Sequence, residues 1–283
     1  MEYRFVKYCT LLLAGYLACS GCKEVDFTGM FIQEESANQR FEDSEAWNKL
    51  HSYREIIVPA DNYSILSASD IHAGTTTNLD IFILKAKSIK PSAVVMAGDL
   101  TWGKREGYEV FQQHLPQKDT LATFLIAGNH DCNFDGWNEF TTRFGSSTYF
   151  FKIVTPVATD LFICLETAGA TLGKKQLNWF VDVLERERPG CRRCIIYTHT
   201  NFFRFKFSEA SNPQTEEIAA MIELIVRNRI DMVIAGHDHR QDDVKFGNTT
   251  YIVMPPLKDE HPNAGYFRLN VRGGKTEYQF ISL

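Results

Sequence analysis

The 283-residue sequence lacks a surplus of basic charge, a long apolar segment and any internal repeat. It has 30 Lys and Arg against 35 Asp and Glu, a formal net charge of −5, and this mild acidity argues against a nucleic-acid polymer as partner. No apolar run comfortably reaches the roughly 20 residues of a transmembrane helix. Cys191 and Cys194 form a CxxC pair without a second pair, which favours ordinary thiols over a disulfide, and either over a zinc site.

The N-terminal segment has the features of an export signal. Arg4 and Lys7 precede the apolar stretch YCTLLLAGYLAC, and small residues lead to Cys22, as in secretory signals. The terminal cysteine makes the segment resemble a bacterial lipoprotein signal, although Cys19 stands where Leu is usual. We predict a signal peptide over residues 1–21 and lipidation at Cys22, which would anchor the protein in the bacterial cell envelope, on the periplasmic or outer-membrane face. An ordinary secretory signal without an anchor is the alternative.

The rest of the chain divides into a polar arm and a domain of alternating pattern. For residues 22–60, which are polar and irregular, we predict a linker or arm with one amphipathic helix that carries Phe41, Trp47 and Leu50. From Tyr63 onward, apolar runs alternate with amphipathic stretches, which indicates buried strands joined by helices. The runs are YSILSASD, SAVVMAGD, ATFLIAGN, DLFICLE, CIIYTH and IDMVIAGH, and the predicted helices cover 78–89, 104–114, 136–144, 174–188 and 214–229. The C-terminal part predicts consecutive strands with RGGK as a hairpin turn, so we expect an α/β domain over residues 61–283, with a mixed sheet or two stacked mixed sheets flanked by helices.

Metal-binding side chains follow five of the predicted strands. They are Asp70, His72, Asp99, Asn129, His130, His199, His237 and His239. Because loops leave an open α/β sheet together at the carboxyl ends of its strands, we expect these groups to meet at one edge. Alternation along an extended segment would point Asp70 with His72, and His237 with His239. Carboxylates, imidazoles and an amide oxygen suit Mn, Fe or Zn.

The motifs D-x-H, G-D, G-N-H-D, H and G-H-x-H, in this order, resemble the calcineurin-like metallophosphoesterase family. The resemblance implies four αββα layers around two divalent metal ions, with a metal-bridging hydroxide that attacks a phosphate ester. Asp70, His72 and His239 would hold the first metal, Asp99 would bridge, and Asn129, His199 and His237 would complete the second. His130 would be the catalytic residue beside the phosphate, and Asp131 would support the loop or orient His130.

Departures from the patterns of related subfamilies narrow the expected substrate. Purple acid phosphatases carry a Tyr ligand where this chain has Trp102, and the arginines of protein phosphatases are out of register with Arg105. The spacing most resembles small bacterial phosphodiesterases, so we expect a small diester substrate; a phosphomonoesterase and a catalytically silent scaffold are the alternatives. Trp102, Arg105, Phe203 and Arg204 are the candidate substrate contacts.

The remaining histidines have no role in this scheme. We predict ordinary polar positions for His51, His114 and His261, and a supporting or solvated position for Asp238.

Overall fold

The computed structural model describes residues 35–117, 120–203 and 213–283, and these residues form two stacked β-sheets. The strands are β1 (Arg54–Ile57), β2 (Asn62–Ala68), β3 (Ala93–Ala97), β4 (Thr123–Ile126), β5 (Tyr149–Val154), β6 (Thr159–Cys164), β7 (Arg193–Tyr197), β8 (Met232–Ala235), β9 (Asp242–Phe246), β10 (Thr249–Val253), β11 (Gly265–Arg272) and β12 (Lys275–Ser282). One sheet has the order β1-β5-β6-β7-β8-β10-β9, and the other has the order β12-β11-β2-β3-β4. Both sheets mix parallel and antiparallel pairs.

Helices cover the outer faces of the two sheets. They are α1 (Ala37–Leu50), α2 (Thr77–Ile89), α3 (Arg105–His114), α4 (Gly136–Phe144), α5 (Gly173–Glu187) and α6 (Thr215–Arg227). Helices α2, α3 and α4 pack on the five-stranded sheet, and α5 and α6 pack on the seven-stranded sheet. The predicted αββα arrangement is therefore confirmed, and the bounds of α2 to α6 lie within two residues of the predicted helices.

The central core lies between the sheets, where alternate residues of each strand face inward. Ile65 of β2 faces the other sheet, and its neighbour Leu66 faces the helices, as the twofold periodicity of a strand requires. The rings of Phe151 and Phe162, on adjacent strands, stack in this central layer at 4.8 Å between centroids. Both faces of the central strands are thus buried, which explains their continuous apolar runs.

Three strands were absent from the sequence prediction. Strand β9 is exposed along its whole length, so it carries no burial pattern to detect. Strand β1 has only four residues at the edge of its sheet. Strand β5 is a regular six-residue strand that we did not identify in YFFKIV. The predicted RGGK hairpin is confirmed, because Arg272 pairs with Lys275 across two glycines with positive φ.

The N-terminal arm packs on the domain from residue 35 onward. Helix α1 buries Phe41, while Trp47 is partly exposed and Leu50 is 81% exposed. Strand β1 pairs in parallel with β5 and extends the seven-stranded sheet. The sheet therefore begins before residue 61, where the sequence placed the start of the domain, and that boundary stays a prediction. The signal peptide and Cys22 lie outside the described residues.

The cysteines agree with the expectation of ordinary thiols. Among the described residues Cys132, Cys164, Cys191 and Cys194 are all buried free thiols, so the CxxC pair forms no disulfide. Within the same residues, none of the helices has both the length and the apolar character needed to cross a bilayer.

Candidate metal centre

The side chains that follow the five predicted strands meet at one edge of the molecule, where the two sheets come together. Two groups of ligand atoms form there, each with all its atoms within 4.8 Å of one another. One group contains Asp70, His72, Asp99 and His239, and the other contains Asp99, His199 and His237. Asp99 belongs to both groups. Each group can hold a metal ion, so the arrangement provides two adjacent sites with one shared carboxylate.

The first group joins the ends of β2 and β3 to the segment after β8. His239 Nε2 lies 3.3 Å from Asp70 Oδ1 and 3.3 Å from His72 Nε2. His72 Nε2 also lies 3.7 Å from Asp99 Oδ2. Asp70, His72 and Asp99 are buried, so a cation bound between them would be largely screened from water.

The second group joins the ends of β3, β7 and β8, and Asn129 from the end of β4 lies against it. His199 Nε2 lies 3.4 Å from Asp99 Oδ2, and Asn129 Oδ1 lies 3.0 Å from His199 Nε2 and 2.8 Å from His237 Nδ1. His199 Nδ1 is 3.0 Å from the carbonyl oxygen of Ala97. Such a bond from the remote ring nitrogen fixes the orientation of a metal-binding imidazole.

The backbone at these strand ends is left-handed, contrary to the extended geometry that we expected. Five residues of the two groups have φ between 47° and 70°, namely Asp70, His72, Asp99, His237 and His239. Asp70 and His72 fall in the same group, as alternation predicts, whereas His237 reaches the second group and His239 the first, as the family resemblance implies and alternation does not. Non-glycine residues with positive φ are uncommon, and clusters of them are found at functional sites.

Two of the glycines that precede the motif residues permit close approach of other groups. A Cβ on Gly98, whose φ is +87°, would lie 2.3 Å from His199 Nδ1. A Cβ on Gly128 would lie 2.2 Å from the backbone nitrogen of Asp99 and 2.3 Å from its Oδ1. Side chains at these positions would displace two of the groups that the site brings together.

Burial and mutual charge set the protonation of the site without metal. Burial alone would raise the pKa of Asp70, but the bond from His239 and the charges of nearby imidazoles lower it to about 2. Burial lowers the pKa of His72 to about 3, against the attraction of Asp99. For His199 burial acts in the same direction, but the carboxylate of Asp99 outweighs it and raises the pKa to about 9. Without metal the site therefore carries charged carboxylates, a neutral His72 and a protonated His199, and His199 must release its proton when a metal ion binds.

His130 and Asp131 lie near the shared carboxylate of Asp99. His130 Nε2 is 4.0 Å from Asp99 Oδ2, with its side chain 17% exposed, and its backbone nitrogen donates to Asp99 Oδ1. Asp131 is buried and accepts from the backbone nitrogens of Leu100, Thr101 and Gly128, each at 2.9 Å. It thereby ties together the loops that follow β3 and β4.

The four predicted substrate contacts have different outcomes. Trp102 lies at the metal centre, where its ring stacks on that of His72 with the ring centroids 4.1 Å apart. Arg105 instead pairs with Glu139 at 2.9 Å. Phe203 is partly buried against Tyr251, and Arg204 lies outside the described residues.

Two further residues lie near the first group: Lys258, which sequence reasoning did not identify, and His261, for which it predicted an ordinary polar position. Lys258 places its ammonium 5.1 Å from the centroid of Trp102, and its backbone nitrogen donates to the carbonyl of Asp70. The ring of His261 lies 6.0 Å from that of His239, edge to face. Both residues come from the loop before β11, about 20 residues beyond the last motif, and no local pattern distinguishes them.

The comparisons with known proteins give a matching family model and solved structures of similar fold. The family model described as calcineurin-like phosphoesterase matches residues 63–241. Among similar solved structures, a dimetal phosphatase from Danio rerio has a TM-score of 0.62 at 12% identity, covering 78% of this chain and 96% of its own. A purple acid phosphatase from yellow lupin has a TM-score of 0.59 at 12% identity, with 79% and 52% covered. GAP50, the anchor in the inner membrane complex of Plasmodium, has a TM-score of 0.64 at 12% identity, with 78% and 84% covered.

Proposed function

The chain belongs to the calcineurin-like phosphoesterase family, a family of metal-dependent phosphoester hydrolases, and we propose that it hydrolyses a small phosphodiester. The observation that carries the proposal is the position of Asp99 in both ligand groups. Two neighbouring cations repel each other, and a shared carboxylate reduces that repulsion. Such a pair suits the in-line displacement of a phosphate ester.

The cofactors are two divalent metal ions, and the donor set of carboxylates, imidazoles and an amide suits Mn, Fe or Zn. In our assignment Asp70, His72 and His239 hold one ion, and Asn129, His199 and His237 hold the other, with Asp99 between them. When bound, the two ions would polarise the phosphate oxygens and lower the pKa of the attacking water. The protein's own contribution is to fix the ligands in the left-handed geometry described above and to exclude bulk water from the buried carboxylates.

His130 is assigned as the catalytic residue that contacts the phosphate. Its Nε2 faces Asp99 at 4.0 Å, and its ring remains partly open to solvent, so it is accessible to a substrate at the shared carboxylate. From there an imidazole can donate a proton to the leaving oxygen or stabilise negative charge on the phosphate. The ring lies edge to face with both His72 and Trp102, 4.9 Å from each, and these contacts restrict its orientation.

A diester is favoured over a monoester by the charge around the site. A monoester carries up to two negative charges and gains more from a bidentate arginine. Arg105, the arginine of the loop after Asp99, is engaged by Glu139. The ammonium of Lys258, which lies over the ring of Trp102, suits the single charged oxygen of a phosphodiester. The spacing of GDLTW and GNHD, similar to small bacterial phosphodiesterases, supports the same choice, and a phosphomonoesterase is the first alternative.

A catalytically silent scaffold is the second alternative. The Plasmodium structure with the same fold is described as an anchor, although a likeness at 12% identity shows the fold alone. In this chain His130 and all seven residues assigned to the metals are present and close together. This completeness favours turnover.

We also propose that the protein is exported and held by a lipid on Cys22. The proposal rests on the sequence of the N-terminal segment, in which a charged start, an apolar stretch and small residues precede the cysteine. The substrate would then be a small phosphate ester available at the cell envelope.

The test of the proposed function is a comparison of two chromogenic esters. Purified full-length protein in detergent would be stripped of metal, refilled with Mn, Zn or Fe, and assayed with bis(p-nitrophenyl) phosphate and p-nitrophenyl phosphate. We expect metal-dependent turnover with a higher kcat/KM for the diester. A preference for the monoester would establish the first alternative, and no turnover with two metals bound would establish the scaffold.

A further inference from the structure

Helix α1 precedes the segment that the family model matches, yet one of its charged side chains is buried in the domain. Arg40 is 2% exposed and its Nε donates to Oε2 of Glu166, which is fully buried, at 3.0 Å. Its Nη1 also donates to the carbonyl of Glu35. Because a buried ion pair costs desolvation and is weak evidence for stability by itself, its position suggests a further role.

The Arg40–Glu166 pair is connected to His199 by a short series of hydrogen bonds. The other carboxylate oxygen of Glu166 accepts from the backbone nitrogen of Ala168 at 2.6 Å, which fixes the turn around Thr167. Thr167 Oγ1 in turn accepts from the backbone nitrogens of His199 and of the residue after it, both at 3.0 Å. Arg40 therefore stabilises the turn at Thr167, and this turn fixes the backbone of His199, which is assigned to the second metal.

A second path runs from α1 to Asn129. Ser44 is buried, and its Oγ accepts from the backbone nitrogen of Ser147 at 3.2 Å. Ser147 Oγ accepts from the backbone nitrogen of Ala127 at 2.9 Å, two residues before Asn129. The same helix thus supports two of the strand ends that carry residues assigned to the second metal.

The first group is anchored by a different part of the chain. The carbonyl of Asp70 accepts from the backbone nitrogen of Lys258, and Ile71 and His72 donate to the carbonyl of Asp99. Neither path from α1 that we have traced reaches these contacts. Loss of α1 contacts should therefore affect the two metal positions unequally.

We propose that α1 is a positioning element for the second metal, with Arg40 and Ser44 as positioning residues for His199 and Asn129. The proposal rests on the two-metal site of the proposed function. When Arg40 is replaced, the turn at Thr167 loosens, the bond from the His199 backbone nitrogen to Thr167 weakens, and the second ion binds more weakly. The first ion keeps its ligands.

The experiment is a manganese titration of full-length protein in detergent, followed by calorimetry and by electron paramagnetic resonance, which distinguishes a coupled Mn pair from a single Mn ion. The variants are Arg40→Met, the milder Arg40→Lys and Ser44→Ala. The matched control is Arg193→Met, because Arg193 is also buried and pairs at 2.9 Å with the buried Asp160, on a strand end remote from the site. Urea unfolding measures the stability of each variant.

We expect wild-type protein and Arg193→Met to bind two Mn ions and to show the coupled signal. Arg40→Met should keep one tight ion, bind the second at least tenfold more weakly and show the single-ion signal. Arg40→Lys and Ser44→Ala should weaken the second ion less, and they carry the test if Arg40→Met does not fold.

Two results would overturn the proposal. In the first, the Arg40 and Ser44 variants bind both ions with unchanged affinity, or Arg193→Met loses as much affinity for the second ion per unit of lost unfolding free energy as the Arg40 variants do. Either outcome would show that α1 has only a structural role. In the second, wild-type protein itself binds fewer than two ions, which would overturn the two-metal site and the positioning role with it.

Discussion

Gly98→Ala is the substitution whose consequence follows most directly from the structure. Gly98 has a φ of +87°, and a Cβ there would lie 2.3 Å from His199 Nδ1 and 2.5 Å from its Cγ. Ordinary van der Waals contact begins at 3.4 Å. The imidazole must therefore retreat by roughly 1 Å, because the backbone of β3 is held in the middle of its sheet.

Two costs add to give the expected loss of stability. Placing alanine in the left-handed region costs about 1–2 kcal/mol. Moving the ring breaks the 3.0 Å bond between His199 Nδ1 and the Ala97 carbonyl, which contributes about 1 kcal/mol. The total is about 2–3 kcal/mol. A displacement of roughly 1 Å also far exceeds the tolerance of about 0.2 Å in metal–ligand distances, so the second ion should be lost.

Gly247→Ala is the matched control. Gly247 also has a positive φ, +61°, but a Cβ there meets no atom within 4 Å, so this variant reports the backbone cost alone. Urea unfolding, metal content and turnover of the diester would be measured for both. We expect Gly247→Ala to lose about 1–2 kcal/mol and keep both ions. The reasoning is refuted if Gly98→Ala retains the metal content and activity of Gly247→Ala.

Four further substitutions test separate parts of the assignment. Asp99→Ala should abolish turnover and lower metal content, because the shared carboxylate is lost; two ions still bound would exclude this role. His130→Ala should lower kcat by about 10²–10⁴-fold with metal content unchanged, and parallel loss of metal would make it structural. Lys258→Met should lower kcat/KM for the diester by about tenfold, the value of one charged hydrogen bond; an unchanged value would remove it from the substrate site. Cys22→Ser should release the protein from the membrane fraction, and a variant that still sediments with membranes would contradict the lipid anchor.

The positions of the motif residues could be predicted from sequence because each lies within a few residues of the end of one of five strands. An apolar run such as FLIAG predicts a buried strand, and Asn129 after it must lie where that strand leaves the sheet. The five predicted helices were found within two residues for a similar reason, since their amphipathic periodicity is local. Strand β9 had no such signal, because all of its residues are exposed.

The conformation of the site could not be predicted in the same way. Extended alternation predicted that His237 and His239 point together, but each adopts positive φ and joins a different group, as only the family resemblance had implied. Their φ values are imposed by contacts with distant segments, such as the bonds from the His237 backbone nitrogen to the carboxylate of Asp70. Those segments are separated by 167 residues.

The sequence by itself determined which residues can bind metal and at which strand ends they lie, because hydrophobic periodicity and ligand chemistry are local properties. The family resemblance added that Asp99 is shared, in agreement with the structure. Only the tertiary structure decided that Lys258 reaches Trp102 and that Arg40 of the arm reaches Glu166, 126 residues away. The physical reason is that a contact between distant segments depends on how two sheets and their helices pack, and no periodicity along the chain records that packing.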